Sequence, residues 1–128
     1  MPEMHTVHTA EAPEAIGPYS QAVVAGPFVY CSGQVGIDPW TGDLVEGVGA
    51  QTERALKNLV AVLEAAGSDV DHLIKTTIFL TDMESFAEVN RIYSAALGDH
   101  RPARATVGVA SLPKGALVEI DGVALRRQ

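Results

Sequence analysis

The chain has 128 residues, 47% hydrophobic but only 5% aromatic, which predicts a single domain over residues 1–128 with an aliphatic core. The formal net charge is −7, and there is no basic stripe to bind a phosphate backbone, so nucleic acid is not an expected partner. The single cysteine, Cys31, excludes an intrachain disulfide and fits a reducing compartment.

The N-terminal residues show no basic region followed by an apolar core, so they do not match a signal peptide. The longest apolar run is far below the ~20 residues that a membrane-spanning helix requires. The sequence therefore predicts a soluble, cytoplasmic protein with no membrane partner.

Three strands are predicted in the first third of the chain. Residues 4–9 suit an edge strand, and residues 19–25 and 28–34 form a predicted hairpin around Gly26-Pro27. Cys31 lies inside the third strand with no histidine or basic residue beside it in sequence. It is therefore predicted to be a buried structural thiol rather than a nucleophile.

Two helices follow, separated by a strand. Apolar residues recur at helical spacing across residues 50–66 and 84–97, and Gly67 and Gly98 suit the two helix ends. Between them, residues 73–80 are rich in β-branched side chains. A strand, a helix and another strand predict a crossover with parallel pairing between residues 28–34 and 73–80.

The last part of the chain places charged groups among β-prone residues. Residues 105–109 and 117–125 are predicted strands, joined by a turn that contains Pro113 and Gly115. Arg104 lies where the first of these strands begins, and Glu119 interrupts the apolar run of the second. A guanidinium and a carboxylate from adjacent strands are predicted to hold a small anionic substrate and to activate water beside it.

Motifs for metals and cofactors are missing from the sequence. The histidines are scattered at positions 5, 8, 72 and 100, with no metal-ligand spacing. No phosphate-binding loop, nucleophile elbow or dinucleotide fingerprint is present. Neither a metal nor a cofactor is predicted.

From Arg101 to Asp121 the chain resembles the Rid family of imine deaminases (the RidA/YjgF type). The resemblance extends over nearly the whole chain, in order and spacing. The matching motifs are Ile16-Gly17-Pro18-Tyr19-Ser20-Gln21, Cys31-Ser32-Gly33-Gln34, Pro39-Trp40-Thr41-Gly42, Ala65-Ala66-Gly67, Lys75-Thr76-Thr77-Ile78-Phe79, Phe86-Ala87-Glu88-Val89-Asn90, Arg101-Pro102-Ala103-Arg104, Leu112-Pro113-Lys114 and Val118-Glu119-Ile120.

The resemblance implies an α+β fold, chorismate mutase-like, with a six-stranded mixed sheet and two helices packed on one face. The element order read from the residues, β-β-β-α-β-α-β-β, agrees with it. The resemblance also implies a homotrimer with clefts between subunits. The implied activity is hydrolysis of 2-iminobutanoate, 2-iminopropanoate and related enamines to 2-keto acids and ammonia, a form of metabolite damage control.

Seven site residues follow from the resemblance. Arg104 matches the carboxylate-binding arginine and Glu119 the glutamate that orients or activates water. The remaining cleft positions correspond to Tyr19, a hydrogen-bond donor, and to the substrate-binding residues Ser32, Gly33, Asn90 and Thr106. Many members carry cysteine where this chain has Thr106, so a thiol role is absent here.

Three alternatives remain open at this point. The chain is also consistent with a non-catalytic trimer that binds small carboxylates or proteins in a regulatory or chaperone-like role. Such a binder would gain nothing from the negative charge of Glu119 in its cleft. Independently of function, Glu119 is also consistent with a strand carboxylate paired with Arg104 or Lys114. A tautomerase that uses the amine of Pro2 as a base is a second alternative. RNA cleavage is the third, and the acidic net charge opposes it.

Overall fold

Six strands and two helices appear in the predicted order in the computed structural model, which describes residues 3–128. The strands are β1 (Met4–Val7), β2 (Ala22–Ala25), β3 (Phe28–Val35), β4 (Leu73–Leu80), β5 (Ala103–Gly108) and β6 (Val118–Leu125). The helices are α1 (Val48–Ala65) and α2 (Phe86–Leu97). The predicted α+β class and its six-stranded mixed sheet are confirmed. The prediction for Pro2 lies outside the described residues.

The strands form one sheet in the order β1-β2-β3-β6-β4-β5. All neighbouring strands are antiparallel except β4 and β5, which are parallel. In the chain, β4 precedes α2 and β5 follows it. Two predictions about pairing were wrong. The last strand, β6, inserts between β3 and β4, so β3 and β4 do not pair, and β5 and β6 are separated by β4.

Both helices cover the same face of the sheet. Along β6 the residues alternate, so that Val118, Ile120 and Ala124 are fully buried under the helices. Helix α1 contributes residues such as Leu59 to the same core, and helix α2 contributes residues such as Val89. The core is almost wholly aliphatic, as the composition predicts.

Strand β2 begins three residues later than predicted because Gln21 turns inward. Its side chain is buried, accepts a hydrogen bond from the Thr9 backbone N–H at 2.7 Å and donates to the Pro13 carbonyl at 2.8 Å. This amide bonds the two ends of the loop that joins β1 to β2. Residues 19–21 are thereby held outside the sheet, which leaves Tyr19 exposed.

The opposite face of the sheet is covered by no helix from residues 3–128, and we call it the open face. It carries the exposed apolar side chains of Met4, Phe28, Tyr30, Val107 and Leu125, of which Met4 and Tyr30 are 73% and 51% exposed. Met4, Phe28 and Leu125 lie in one register row across neighbouring strands, and exposed apolar side chains grouped in this way are typical of an interaction site. Within residues 3–128, neither helix combines the length and apolar character needed to cross a bilayer.

Candidate active site

Arg104 lies on β5 opposite Thr76 of β4, which directs its side chain to the helix-covered side of the sheet. Its Nη1 donates to Oδ1 of Asn90 on α2 at 2.7 Å. The guanidinium carbon lies 5.0 Å from the ring centroid of Tyr93 and 5.7 Å from that of Phe86. Cations at such distances from aromatic faces are attracted by the ring quadrupole, so α2 holds Arg104 in place.

The three α2 residues share one helix face because they are spaced four and then three residues apart. Tyr93 is itself fixed, since its hydroxyl shares a buried hydrogen bond with Oγ1 of Thr76 at 2.7 Å. Among residues 3–128, no carboxylate lies within 4.0 Å of the Arg104 guanidinium. A positioned cation without a counter-ion is a ready site for an anion.

Thr106 follows two residues along β5, so it lies on the same side of the sheet as Arg104. Its Oγ1 is buried and makes no hydrogen bond to any described residue. A buried hydroxyl without a partner costs roughly 1–3 kcal/mol. A substrate or water molecule that supplied the missing hydrogen bond would recover part of that cost.

Glu119 lies on the open face. It is opposite Val35 of β3 and Phe79 of β4, and its carboxyl is partly buried between the two strands. Burial raises the pKa of the Glu119 carboxyl, and repulsion from Asp121 raises the pKa further. A carboxyl whose pKa is raised is better suited to both accepting and donating a proton near neutral pH.

Gly33 makes room for this carboxyl. The pairing of β3 with β6 shifts register between Cys31 and Gln34, so Ser32 and Gly33 form a bulge beside Glu119. A Cβ at Gly33 would overlap Oε2 of Glu119 and lie 2.7 Å from its Cδ. Only glycine therefore leaves the carboxyl in its present position.

The loop residues that follow Tyr19 are hydrogen-bonded to the bulge. The hydroxyl of Ser32 donates to the Ser20 carbonyl at 2.6 Å, and the Ser32 backbone N–H donates to the Gln21 carbonyl at 2.9 Å. The Tyr19 hydroxyl accepts a long hydrogen bond of 3.4 Å from the Ile16 N–H. The loop that carries Tyr19 is thus bound to the strand that carries Gly33.

The predicted site residues therefore fall into two groups. The arginine half-site contains Arg104, Asn90 and Thr106, together with Tyr93, which was not predicted. The glutamate half-site contains Glu119, Ser32, Gly33 and Tyr19. The prediction that Arg104 and Glu119 come from adjacent strands was wrong. They project from opposite faces of the sheet with β4 between them, so one small substrate cannot touch both within a chain.

The contribution of Tyr93 and Phe86 to the arginine half-site was not predicted from the sequence. Their spacing relative to Asn90 was the available signal, because it places both rings beside the amide on one helix face. Cys31 is buried as predicted, and burial, reinforced by Asp121, raises the pKa of its thiol to about 12. Across residues 3–128, no three His, Cys, Asp or Glu side chains are grouped to bind a metal.

A family model described as Endoribonuclease L-PSP matches residues 9–126. The chain belongs to the L-PSP family. The resemblance to RidA/YjgF proteins, which this family includes, is confirmed. The match leaves outside it only eight residues at the start and two at the end, so both half-sites of this L-PSP chain lie within it.

Several curated relatives carry the name 2-iminobutanoate/2-iminopropanoate deaminase. The Homo sapiens protein is 48% identical over 121 residues, which cover 94% of this chain and 88% of the relative. The Salmonella typhimurium protein is 46% identical over 125 residues, which cover 95% of this chain and 98% of the relative. Among solved structures, E. coli TdcF with bound serine superposes with a TM-score of 0.92 at 40% identity, covering 96% of this chain and 99% of TdcF.

Proposed function

We propose that this chain is a 2-imino acid deaminase that requires no cofactor. It hydrolyses 2-iminobutanoate, 2-iminopropanoate and related enamines to 2-keto acids and ammonia, in the cytoplasm, where it removes these reactive compounds. The observation that carries the proposal is the Arg104 guanidinium, fixed by Asn90 and two rings yet unpaired with any described carboxylate. The names of the L-PSP relatives support the same reaction.

Arg104 would bind the substrate carboxylate. A guanidinium presents parallel N–H donors that match the two oxygens of a carboxylate, and its planar fork fixes the orientation of the bound group. One Arg104 nitrogen is already bonded to Asn90, which leaves the other donors for the substrate. The imine carbon, which is bonded directly to the carboxylate carbon of the substrate, would then lie near the Thr106 hydroxyl.

The glutamate half-site would come from a second copy of the chain. We propose a homotrimer whose three clefts each pair the arginine half-site of one subunit with the glutamate half-site of the next. Two observations support it. The open face exposes apolar side chains such as Tyr30 and Phe28, and the two half-sites cannot meet within one chain.

Glu119 would manage the protons of the reaction. Its carboxylate removes a proton from water as the water oxygen bonds to the C=N carbon and the π electrons move to nitrogen. For a protonated imine, that proton then passes to the nitrogen of the tetrahedral intermediate. As the C–N bond breaks and releases ammonia, the hydroxyl oxygen forms the keto C=O bond and its proton goes to the Glu119 carboxylate, from which ammonia or solvent removes it. The raised pKa of Glu119 suits this exchange, because the group must take the proton and return it.

The other predicted residues would orient the substrate. Tyr19 supplies a phenolic hydroxyl at the edge of the glutamate half-site. Ser32 and Gly33 supply backbone groups at the bulge, where no side chain intervenes. A protonated imine is already electrophilic, so holding it beside a positioned water accounts for much of the required acceleration.

The test is keto-acid release from 2-iminopropanoate generated in situ by an amino-acid oxidase. For Arg104→Ala we expect kcat/KM to fall by roughly 100-fold, since a charge-assisted contact to the substrate is lost. Arg91→Ala is the matched control, because Arg91 is exposed on the outward surface of α2. Gel filtration should show the same assembly for all three proteins.

Absence of acceleration by the native protein would contradict the deaminase proposal. Keto-acid binding that is lost in Arg104→Ala without any catalysis would instead select the non-catalytic carboxylate binder.

A further inference from the structure

A second arginine lies beside Arg104. A cavity of about 250 Å³ opens at the end of α2 and the start of β5, and its lining includes both Arg101 and Arg104. The other lining residues are Asn90, Tyr93, Ser94 and Pro102. The cavity therefore carries two guanidinium groups and no carboxylate, in a chain whose net charge is −7.

Arg101 is held by the end of α2. Its Nη1 donates to the Gly98 carbonyl at 2.5 Å and to the His100 carbonyl at 2.8 Å. Carbonyl groups at a helix C-terminus have no partner within the helix and attract a cation. The guanidinium is thus fixed at one nitrogen, while its Nε and Nη2 donate to no group within residues 3–128.

Neither cation of the cavity is neutralised. Among residues 3–128, no carboxylate oxygen comes within 4.0 Å of either guanidinium. Two cations that share one small cavity repel each other, and a bound anion relieves that repulsion. A substrate with a single carboxylate occupies Arg104 and leaves the Arg101 charge without a partner.

Resting on the deaminase function above, we propose that this cavity selects dianionic 2-imino acids, the imines of acidic amino acids. Arg104 binds the carboxylate next to the imine carbon. Arg101 binds the distal carboxylate through its free nitrogens, and the Ser94 hydroxyl lies in the same cavity. Arg101 is a specificity-determining residue that does not contact the reacting atoms.

The experiment compares two imines generated in situ: 2-iminosuccinate from aspartate and 2-iminopropanoate from alanine. In Arg101→Gln, we expect kcat/KM for 2-iminosuccinate to fall about 10-fold, the loss of one exposed charge-assisted contact, while the value for 2-iminopropanoate stays within twofold. Arg101→Lys should retain part of the preference because it keeps the charge but not the fork. Arg91→Gln removes a charge elsewhere on α2 and should leave the ratio unchanged.

Arg101 also binds helix carbonyls, so thermal unfolding midpoints of all variants are compared first. A ratio of kcat/KM values that does not change in Arg101→Gln, or an equal loss for both imines, would overturn the inference. Titration calorimetry supplies an independent reading with the products, 2-oxosuccinate and 2-oxopropanoate. If no imine is hydrolysed, the deaminase proposal fails, and selective loss of 2-oxosuccinate affinity in Arg101→Gln still decides this one.

Discussion

The two faces of the sheet differ in what they do for the molecule. On β6, Val118 and Ile120 point to the helices and are fully buried, whereas Glu119 and Asp121, which alternate with them, point to the open face and remain partly exposed. The covered face holds the fold together. The open face carries a carboxyl of raised pKa within an apolar surface, and neither feature contributes to the core of a single chain.

The two half-sites differ in the same way. Arg104 is positioned by an amide and two rings on one helix, so its geometry is complete within the chain. Glu119 is positioned by burial and by the space at Gly33, and its carboxyl makes no hydrogen bond to a described side chain. This difference is expected for a cleft shared between two subunits, in which the arginine half-site is complete within one chain and the glutamate half-site is completed by a neighbouring copy.

The largest expected effect comes from mixing two inactive variants. Arg104→Ala and Glu119→Gln should each lose nearly all imine hydrolysis when assayed alone. Co-expressed and purified as mixed trimers, they should recover about a third of native activity, because one cleft in each mixed trimer pairs an intact arginine with an intact glutamate from the neighbouring copy. The measurement is keto-acid release per chain after purification through two different affinity tags.

Mixtures of each variant with itself serve as controls. If the co-expressed pair is as inactive as the separate variants although it forms mixed oligomers, the shared cleft is wrong.

A smaller effect is expected from Gly33→Ala, which perturbs the glutamate half-site alone. The added methyl would displace the end of the flexible Glu119 side chain, so we expect kcat to fall about 10-fold while stability changes by less than about 1 kcal/mol. The matched variant is Gly36→Ala, where the methyl would lie 2.5 Å from the backbone Cα of Gln51. That variant should lose about 1–3 kcal/mol of stability through overpacking.

Steady-state kinetics and urea unfolding, measured on the same preparations, distinguish a loss of kcat in Gly33→Ala from a loss of stability in Gly36→Ala. A Gly33→Ala protein with native kcat would show that the position of the Glu119 carboxyl does not limit the reaction.

The smallest effect concerns pH. Asp121 raises the pKa of Glu119 after burial does, so Asp121→Asn should lower that pKa. A base acts when ionised, and the acidic limb of the kcat/KM profile should therefore move to lower pH. The asparagine can still accept the hydrogen bond that Asp121 Oδ1 receives from the Thr77 N–H at 3.1 Å, which limits other changes.

Asp71→Asn, at an exposed and distant position, is the control. An acidic limb that stays in place in Asp121→Asn would assign that limb to the substrate rather than to Glu119.

The sequence predicted the helices and strands better than it predicted the order of the strands in the sheet. β4 has the predicted bounds, residues 73–80, because a run of β-branched side chains is a local signal. The place of β6 between β3 and β4 is decided by packing between residues far apart in the chain, and alternation reveals which face a residue occupies but not which strand lies beside it. This is why the prediction that Arg104 and Glu119 lie on adjacent strands was wrong.

The site shows the same division. Arg104, Asn90 and Glu119 were recognisable from motif resemblance, and the structure gives each a distinct setting. The role of Tyr93 was hidden, since an aromatic residue at helical spacing is indistinguishable from core until its hydroxyl and ring partners are seen. The division of the site between two faces could be read only from the strand order.

The buried thiol has a practical consequence for the oxidase-coupled assays proposed above. Amino-acid oxidases that generate imines also release hydrogen peroxide, which attacks thiolates rather than thiols. With a pKa of about 12, Cys31 is almost entirely protonated in neutral buffer and is also shielded from solvent. Since no other cysteine exists in the chain, slow loss of signal during a coupled reaction should not arise from cysteine oxidation of this protein.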